Sequence, residues 1–134
     1  MGRCCMKDRS DAEEWLRRAR SNIARAKIGR ISEDVLYEDL CFDCQQAVEK
    51  SLKGLLVYIG VEFPWSHSIT KLLELVERAG IDAPEYVKDS ITLTVYAVSA
   101  RYPGNQEPVD EDEYKEAVEI AERVYHWVRS KLEQ

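Results

Sequence analysis

The longest regular pattern of apolar and polar positions runs from Asp34 to Gly60. Tyr37, Leu40, Cys41, Cys44, Ala47, Val48, Leu52, Leu55, Leu56 and Ile59 recur at steps of three and four, as on one broad stripe of a helix. On the opposite side Asp39, Asp43, Gln46, Lys50 and Lys53 keep the same spacing. A polar ridge therefore accompanies the apolar stripe, and it is either a solvated face or a site. Ser32 and Asp34 offer capping chemistry ahead of this helix, while Gly60 and Pro64 predict its stop.

Upstream, Asp11 predicts the cap of a first helix ending near Ile28, with Ala12, Trp15, Leu16, Ala19, Ile23 and Ala26 turned inward. Arg17, Arg18, Arg20, Arg25, Lys27 and Arg30 gather on or beside its other faces, which makes this the most basic part of the chain. Residues 1–10 are expected to form a flexible tail ahead of a single bundle over residues 11–132. Downstream, Ser66 or Ser68 begins a third helix through Leu72, Leu73, Leu75 and Val76 to Gly80. Pro84 opens a fourth helix, expected to reach Ala100. Its stretch from Ile91 to Val98 alternates as a strand does, but a lone strand would have no partner in this chain. Pro103, Gly104, Asn105 and Pro108 break the chain, and Asp110 caps the last helix. The expected fold is all-α: an antiparallel up-and-down bundle of four main helices plus one shorter helix.

Composition narrows the function classes. At 134 residues the chain predicts one domain, and 33% charged with 45% hydrophobic residues fits a helix-rich globular protein. The net charge of -6 argues against broad, unspecific nucleic-acid binding but permits a local basic patch. No apolar run is long enough for a membrane span, and Met1 to Ser10 lacks the apolar core of a signal peptide, so a cytoplasmic location is expected. Cys41 and Cys44 stand at a spacing that zinc or a redox disulfide can use. Both fall inside the apolar stripe, where free cysteine packs as a small hydrophobe, and a four-cysteine site with Cys4 and Cys5 would need the tail to fold onto that face. Packing is the expectation, with no metal and no cofactor. His67 is expected to cap or brace the third helix, and His126 to be a surface or packing residue.

The run Phe42-Asp43-Cys44-Gln45-Gln46-Ala47-Val48-Glu49-Lys50-Ser51-Leu52-Lys53-Gly54-Leu55-Leu56 resembles the signature of HEPN domains, the "higher eukaryotes and prokaryotes nucleotide-binding" helical family. Trp15-Leu16 with Ala19, His67 with Leu72-Leu73, Ala100-Arg101-Tyr102-Pro103 and the Ala-rich last helix extend the likeness over Asp11 to Leu132. Many such proteins are metal-independent RNases that pair an Arg at the end of the fourth helix with a His a few residues later, at a dimer interface; others are non-catalytic. Arg101 matches the Arg of that motif, but Tyr102 to Pro108 holds no His. Metal-free RNA cleavage needs a base for the 2′-hydroxyl as well as charge stabilisation at phosphorus, and Arg101 can supply only the second.

The guanidinium of Arg101 suits a phosphate and Tyr102 suits base stacking, although Arg101 can equally pair with the helix dipole or with Asp43 or Glu49. The candidate nucleotide- or RNA-binding residues are Arg101, Tyr102, Asp43, Gln46, Lys50 and Lys53. The resemblance implies a homodimer and a minimal nucleotidyltransferase partner in a toxin-antitoxin-like system. The expected function is a non-catalytic or weakly catalytic nucleotide- or RNA-associated module. The rivals are an RNase toxin using Arg101 and a purely structural adaptor.

Overall fold

The computed structural model describes residues 5–97 and 107–134, with side chains from Arg9 onward. Arg101 and Tyr102 lie outside the described residues. The elements follow in the order α1 (Cys5–Ile28), α2 (Tyr37–Tyr58), α3 (Ile69–Arg78), α4 (Glu85–Lys88), a 3-10 helix (Asp89–Ala97) and α5 (Glu111–Leu132). No strand occurs among the described residues, and the all-α expectation holds.

Pairwise contacts give the rods their directions. Asn22 of α1 meets Asp43 of α2, while Ala12 and Trp15 lie against Gly54, so α1 and α2 are antiparallel. Glu13 meets Arg129 and Lys27 meets Glu122, so α5 also runs antiparallel to α1. The 3-10 helix ends beside the start of α5, where the Tyr96 hydroxyl donates to Glu113. The result is an up-and-down bundle with α2 as its central rod, touched by α1, α3, the 3-10 helix and α5.

Small residues set the tightest seam. Ala12, Ala19 and Ala26 are fully buried at seven-residue intervals on α1. Opposite them, a Cβ built on Gly54 would stand 3.2 Å from the Trp15 Cβ and 3.3 Å from the Ala12 carbonyl oxygen. Glycine is thus what lets the two backbones approach. The core inside this seam contains Leu16, Val48, Leu52, Leu55 and Leu56, with Leu72, Val76, Val124 and Val128 closing the other sides. Burying each such side chain contributes roughly 1.5–3 kcal/mol.

Several boundaries differ from the pattern-based expectation. α1 is already helical at Cys5, upstream of Asp11, and no Gly or Pro occurs between Cys5 and Ser10 to stop it. α2 begins at Tyr37, because the Ser32 hydroxyl accepts from the Asp34 amide at 2.9 Å and so caps a turn ahead of the helix. Glu38 and Asp39 then supply negative charge in the first turn.

The fourth segment shows the largest difference. In place of the α-helix expected from Pro84, four residues of α4 lead into a nine-residue 3-10 helix. The β-branched Ile91, Thr92, Thr94 and Val95 crowd an α-helical turn, and the Ser90 and Thr92 hydroxyls donate to the Val87 and Asp89 carbonyls at 2.6 and 3.0 Å. Three residues per turn also suit the burial pattern, since Val87, Ser90, Leu93 and Tyr96 are the buried positions. Of the two serines expected to open the third helix, Ser68 is the cap, accepting from Lys71 N at 3.2 Å, and the expected cap at Asp110 accepts from Glu113 N at 2.8 Å.

Candidate functional site

The polar ridge of α2 is exposed at Asp39, half-buried at Gln46 and Lys50, and covered at Asp43 and Lys53. Asp43, Glu49 and Lys53 are 5%, 4% and 4% exposed, and α1 and the loop ahead of α3 lie over them. Charges so buried demand partners, and the structure supplies them in two clusters.

The first cluster joins α1 to the N-terminal half of α2. Lys50 Nζ donates to Asn22 Oδ1 at 2.9 Å, and Asn22 Nδ2 donates to Asp43 Oδ1 at 2.8 Å. The Arg25 guanidinium approaches the same carboxylate at 3.4 Å. Lys50 also opens into a hollow of about 550 Å³ lined by Asp11, Glu14, Trp15, Arg18 and Val57. Burial pushes the Lys50 ammonium below its ordinary pKa; Arg18 and Arg25 push the same way, against Glu49 and Asp43. Arg18, Asn22 and Arg25 follow at helical steps of four and three, which explains how one face of α1 brings two cations to Lys50. Arg18 is shared with Glu14, which it contacts at 2.8 Å.

The second cluster is centred on Glu49. Its Oε2 accepts from Lys53 Nζ at 2.6 Å. Its Oε1 accepts from Gln45 at 3.1 Å and Gln46 at 3.3 Å, and stands 3.0 Å from His67 Nδ1. Burial pushes the carboxyl up, but the hydrogen bonds from Lys53, His67 and Gln45 outweigh it and hold Glu49 below the usual carboxylate range. The Lys53 ammonium lies 5.7, 5.6 and 5.9 Å from the ring centroids of Trp15, Phe63 and Trp65. Aromatic faces thus take up the positive charge that Glu49 does not screen. Trp65, at the surface, is 95% exposed.

The structure brings Asp43 and Lys50 together through Asn22, and Gln46 and Lys53 together through Glu49. Of these, Lys50 and Gln46 are the half-buried members, while Asp43 and Lys53 work from below. Asn22, Gln45 and Trp65 were not singled out by the sequence. A signal existed for two of them, since Asn22 falls at the spacing of Ala19 and Ala26, and Gln45 at that of Cys41 and Val48. A polar residue on an apolar stripe must find a buried partner.

His67, expected to cap or brace α3, sits one residue before the Ser68 cap and reaches back to α2; its backbone oxygen also accepts from Gln45 at 3.3 Å. His126 is exposed on α5, its ring 5.4 Å from that of Tyr125. Cys41 and Cys44 are fully buried free thiols; burial pushes the Cys41 thiol up to about 12 and raises that of Cys44 as well. Both are therefore poor nucleophiles and poor metal ligands in the folded chain. Among the described residues no group of three or more His, Cys, Asp or Glu side chains is placed to hold a metal. Nor is any described helix long and apolar enough to cross a membrane.

No curated protein sequence matches the chain. The crystal structure of ST0689, an archaeal HEPN homologue, is similar to it with a TM-score of 0.73 and 27% identity, over 90% of this chain and 97% of that one. The HEPN domain profile matches residues 12–131, which span both polar clusters and every helix that positions them, and the chain belongs to the HEPN domain family.

Proposed function

We propose that this HEPN domain is a nucleotide- or RNA-binding module whose phosphate seat is the α1–α2 groove at Lys50. The observation that carries the reading is the half-buried Lys50 ammonium at the hollow that Arg18 and Trp15 also line, with Arg25 two turns farther along α1 against Asp43. Arg18 and Arg25 oppose the Lys50 charge, and an incoming phosphate relieves that repulsion, while Asp11 and Glu14 on the same hollow offset part of the gain. Lys50 spends one donor on Asn22 and turns toward the hollow, where a partly desolvated ammonium binds an anion more strongly than it would in bulk water. The indole of Trp15 lines the same hollow and offers a face to a base.

In this reading Asp43 and Lys53 are supports, orienting Asn22 and Glu49, while Gln46 lies beside the groove. Arg101 and Tyr102, outside the described residues, stay candidate nucleotide contacts on the family resemblance alone. The module acts as a symmetric homodimer, in keeping with the partial exposure of Tyr86 and Ile91 on the fourth segment. Its partner is a minimal nucleotidyltransferase in a toxin-antitoxin-like pair, as the family resemblance implies.

The test is titration with a fluorescein-labelled single-stranded oligouridylate and with ATP, followed by anisotropy at several salt concentrations. Lys50→Met should weaken binding about 10-fold and flatten the salt dependence by about one phosphate contact. Wild-type affinity in Lys50→Met would remove the groove from the reading. Absence of binding in the wild type, with stable capture of a nucleotidyltransferase, would establish the adaptor instead.

A further inference from the structure

The hollow at Lys50 has two chemically different ends. Asp11, Glu14, Trp15 and Arg18 recur at helical spacing on the face of α1 that borders it, and Lys50 and Val57 border it from α2. The helices are antiparallel, with Ala12 at Gly54 and Asn22 at Lys50, so the hollow runs from Asp11 and Val57 at one end to Arg18 and Lys50 at the other. Trp15 lies between. Seven residues of α1 separate Asp11 from Arg18, about 10 Å at the helical rise per residue. That separation matches the reach of a nucleoside monophosphate from the edge of its base to its phosphate, and about 550 Å³ is ample for a small ligand.

Two carboxylates are out of place in a seat that binds phosphate alone. Glu14 is accounted for, because its oxygens accept from Arg17 at 3.1 and 3.2 Å and from Arg18 at 2.8 Å. Asp11 is not. It is exposed, and among the described residues its carboxylate takes part in no hydrogen bond or ion pair. Nor does it cap α1, which is already helical at Cys5. A carboxylate with both oxygens open accepts two parallel N–H donors, the geometry it adopts with a guanidinium. Guanine is the base whose Watson–Crick edge presents that fork, through N1–H and the 2-amino group. Adenine and cytosine set a ring-nitrogen acceptor beside their amino group, and uracil sets a carbonyl on each side of its one N–H, so each turns a lone pair toward the second oxygen.

We propose that the hollow selects guanine nucleotides, with Asp11 as the residue that reads the base. This rests on the phosphate seat at Lys50 argued above, and it gives the acidic end of the hollow a role. The charges also fix the orientation. With its phosphate at Lys50 and Arg18, the ligand keeps that group about one Debye length from Asp11 at about 0.1 M salt, whereas the reversed pose presses phosphate against the carboxylate. The base then falls at Trp15, whose ring is held by the edge contact with Phe63 at 6.1 Å and by the Lys53 ammonium at 5.7 Å.

The experiment is an NMR titration of the full chain with GMP, IMP, AMP and UMP. GMP should bind about 10-fold or more tightly than each of the others, the scale of one hydrogen bond to a charged group; IMP is the sharpest comparison, because it lacks only the 2-amino group. Asp11→Asn should lower GMP affinity about 10-fold, since its amide offers one acceptor in place of two, and should not lower AMP affinity. A carboxylate acting only through its charge would instead leave every nucleotide bound more tightly in that variant. Lys50→Met should weaken GMP and AMP by the same factor and keep their ratio. Wild-type protein that binds GMP no more tightly than AMP or IMP, or a guanine preference that survives in Asp11→Asn, would overturn the proposal while leaving the phosphate seat in place. Failure of the wild type to bind any of the four would remove both.

Discussion

Replacing Lys53 with methionine removes one half of an ion pair in which both side chains are 5% exposed. Methionine retains most of the volume between Trp15, Phe63 and Trp65, so the change isolates the charge. The Glu49 Oε2 then loses its 2.6 Å donor, while Oε1 keeps Gln45, Gln46 and His67. A buried carboxylate left without its counter-ion costs about 3–5 kcal/mol, and the remaining donors on Oε1 place Lys53→Met near about 3 kcal/mol.

The sign of the pH dependence follows from the same contacts. In the wild type Glu49 is depressed, so its contribution is present above the unfolded glutamate pKa of about 4.3 and is lost as pH falls through the depressed folded value. Without Lys53, burial dominates and the folded pKa rises above the unfolded one. The penalty in the variant is then relieved as pH falls and the carboxyl takes up a proton. Urea unfolding at pH 7 and near pH 4 should therefore show a gap between the two proteins that narrows in acid, at an unchanged slope against denaturant. Pairing the variant with Glu49→Gln should recover much of the loss, because both charges are then gone. A deficit under about 1 kcal/mol at pH 7, or a gap that ignores pH, would refute the claim that burial makes this pair costly to break.

Two further substitutions probe the frame that carries the site. Arg129 clasps Glu13 through two bonds of 2.8 Å, and that hydrogen bonding lowers the Glu13 pKa. Arg129→Ala should cost about 1–2 kcal/mol after discounting for partial exposure. The difference from wild type should persist above the ordinary glutamate range and fade as pH falls through the depressed Glu13 value; thermal unfolding showing the same difference at pH 3 and pH 7 would contradict this. Gly54→Val should destabilise by about 2–3 kcal/mol despite the better helix propensity of valine, because the added carbons meet the Ala12 carbonyl, which is backbone and cannot rotate away. A raised urea midpoint in this variant would show that the α1–α2 seam has room to spare.

Local pattern was enough to find the long central helix, its apolar stripe and the cap at Asp110, and to narrow the third helix's cap to Ser66 or Ser68, because these depend on neighbours within a turn or two. The family was legible for the same reason, since its signature is a local run on α2. Pattern failed along Ile91 to Ala97, where β-branched crowding, serine and threonine hydroxyls and a three-residue burial period together select a 3-10 helix. It also could not say whether the α2 ridge faced water. That depended on Gly54 and the alanines of α1, which let a second helix close over Asp43, Glu49 and Lys53, and on a loop that folds His67 back across eighteen positions of chain. Sequence determines which residues share a face. Only the tertiary structure decides which charges lose their water, because desolvation depends on what packs on top, and that packing leaves Lys50 half-buried against Asn22 and His67 held against the buried Glu49.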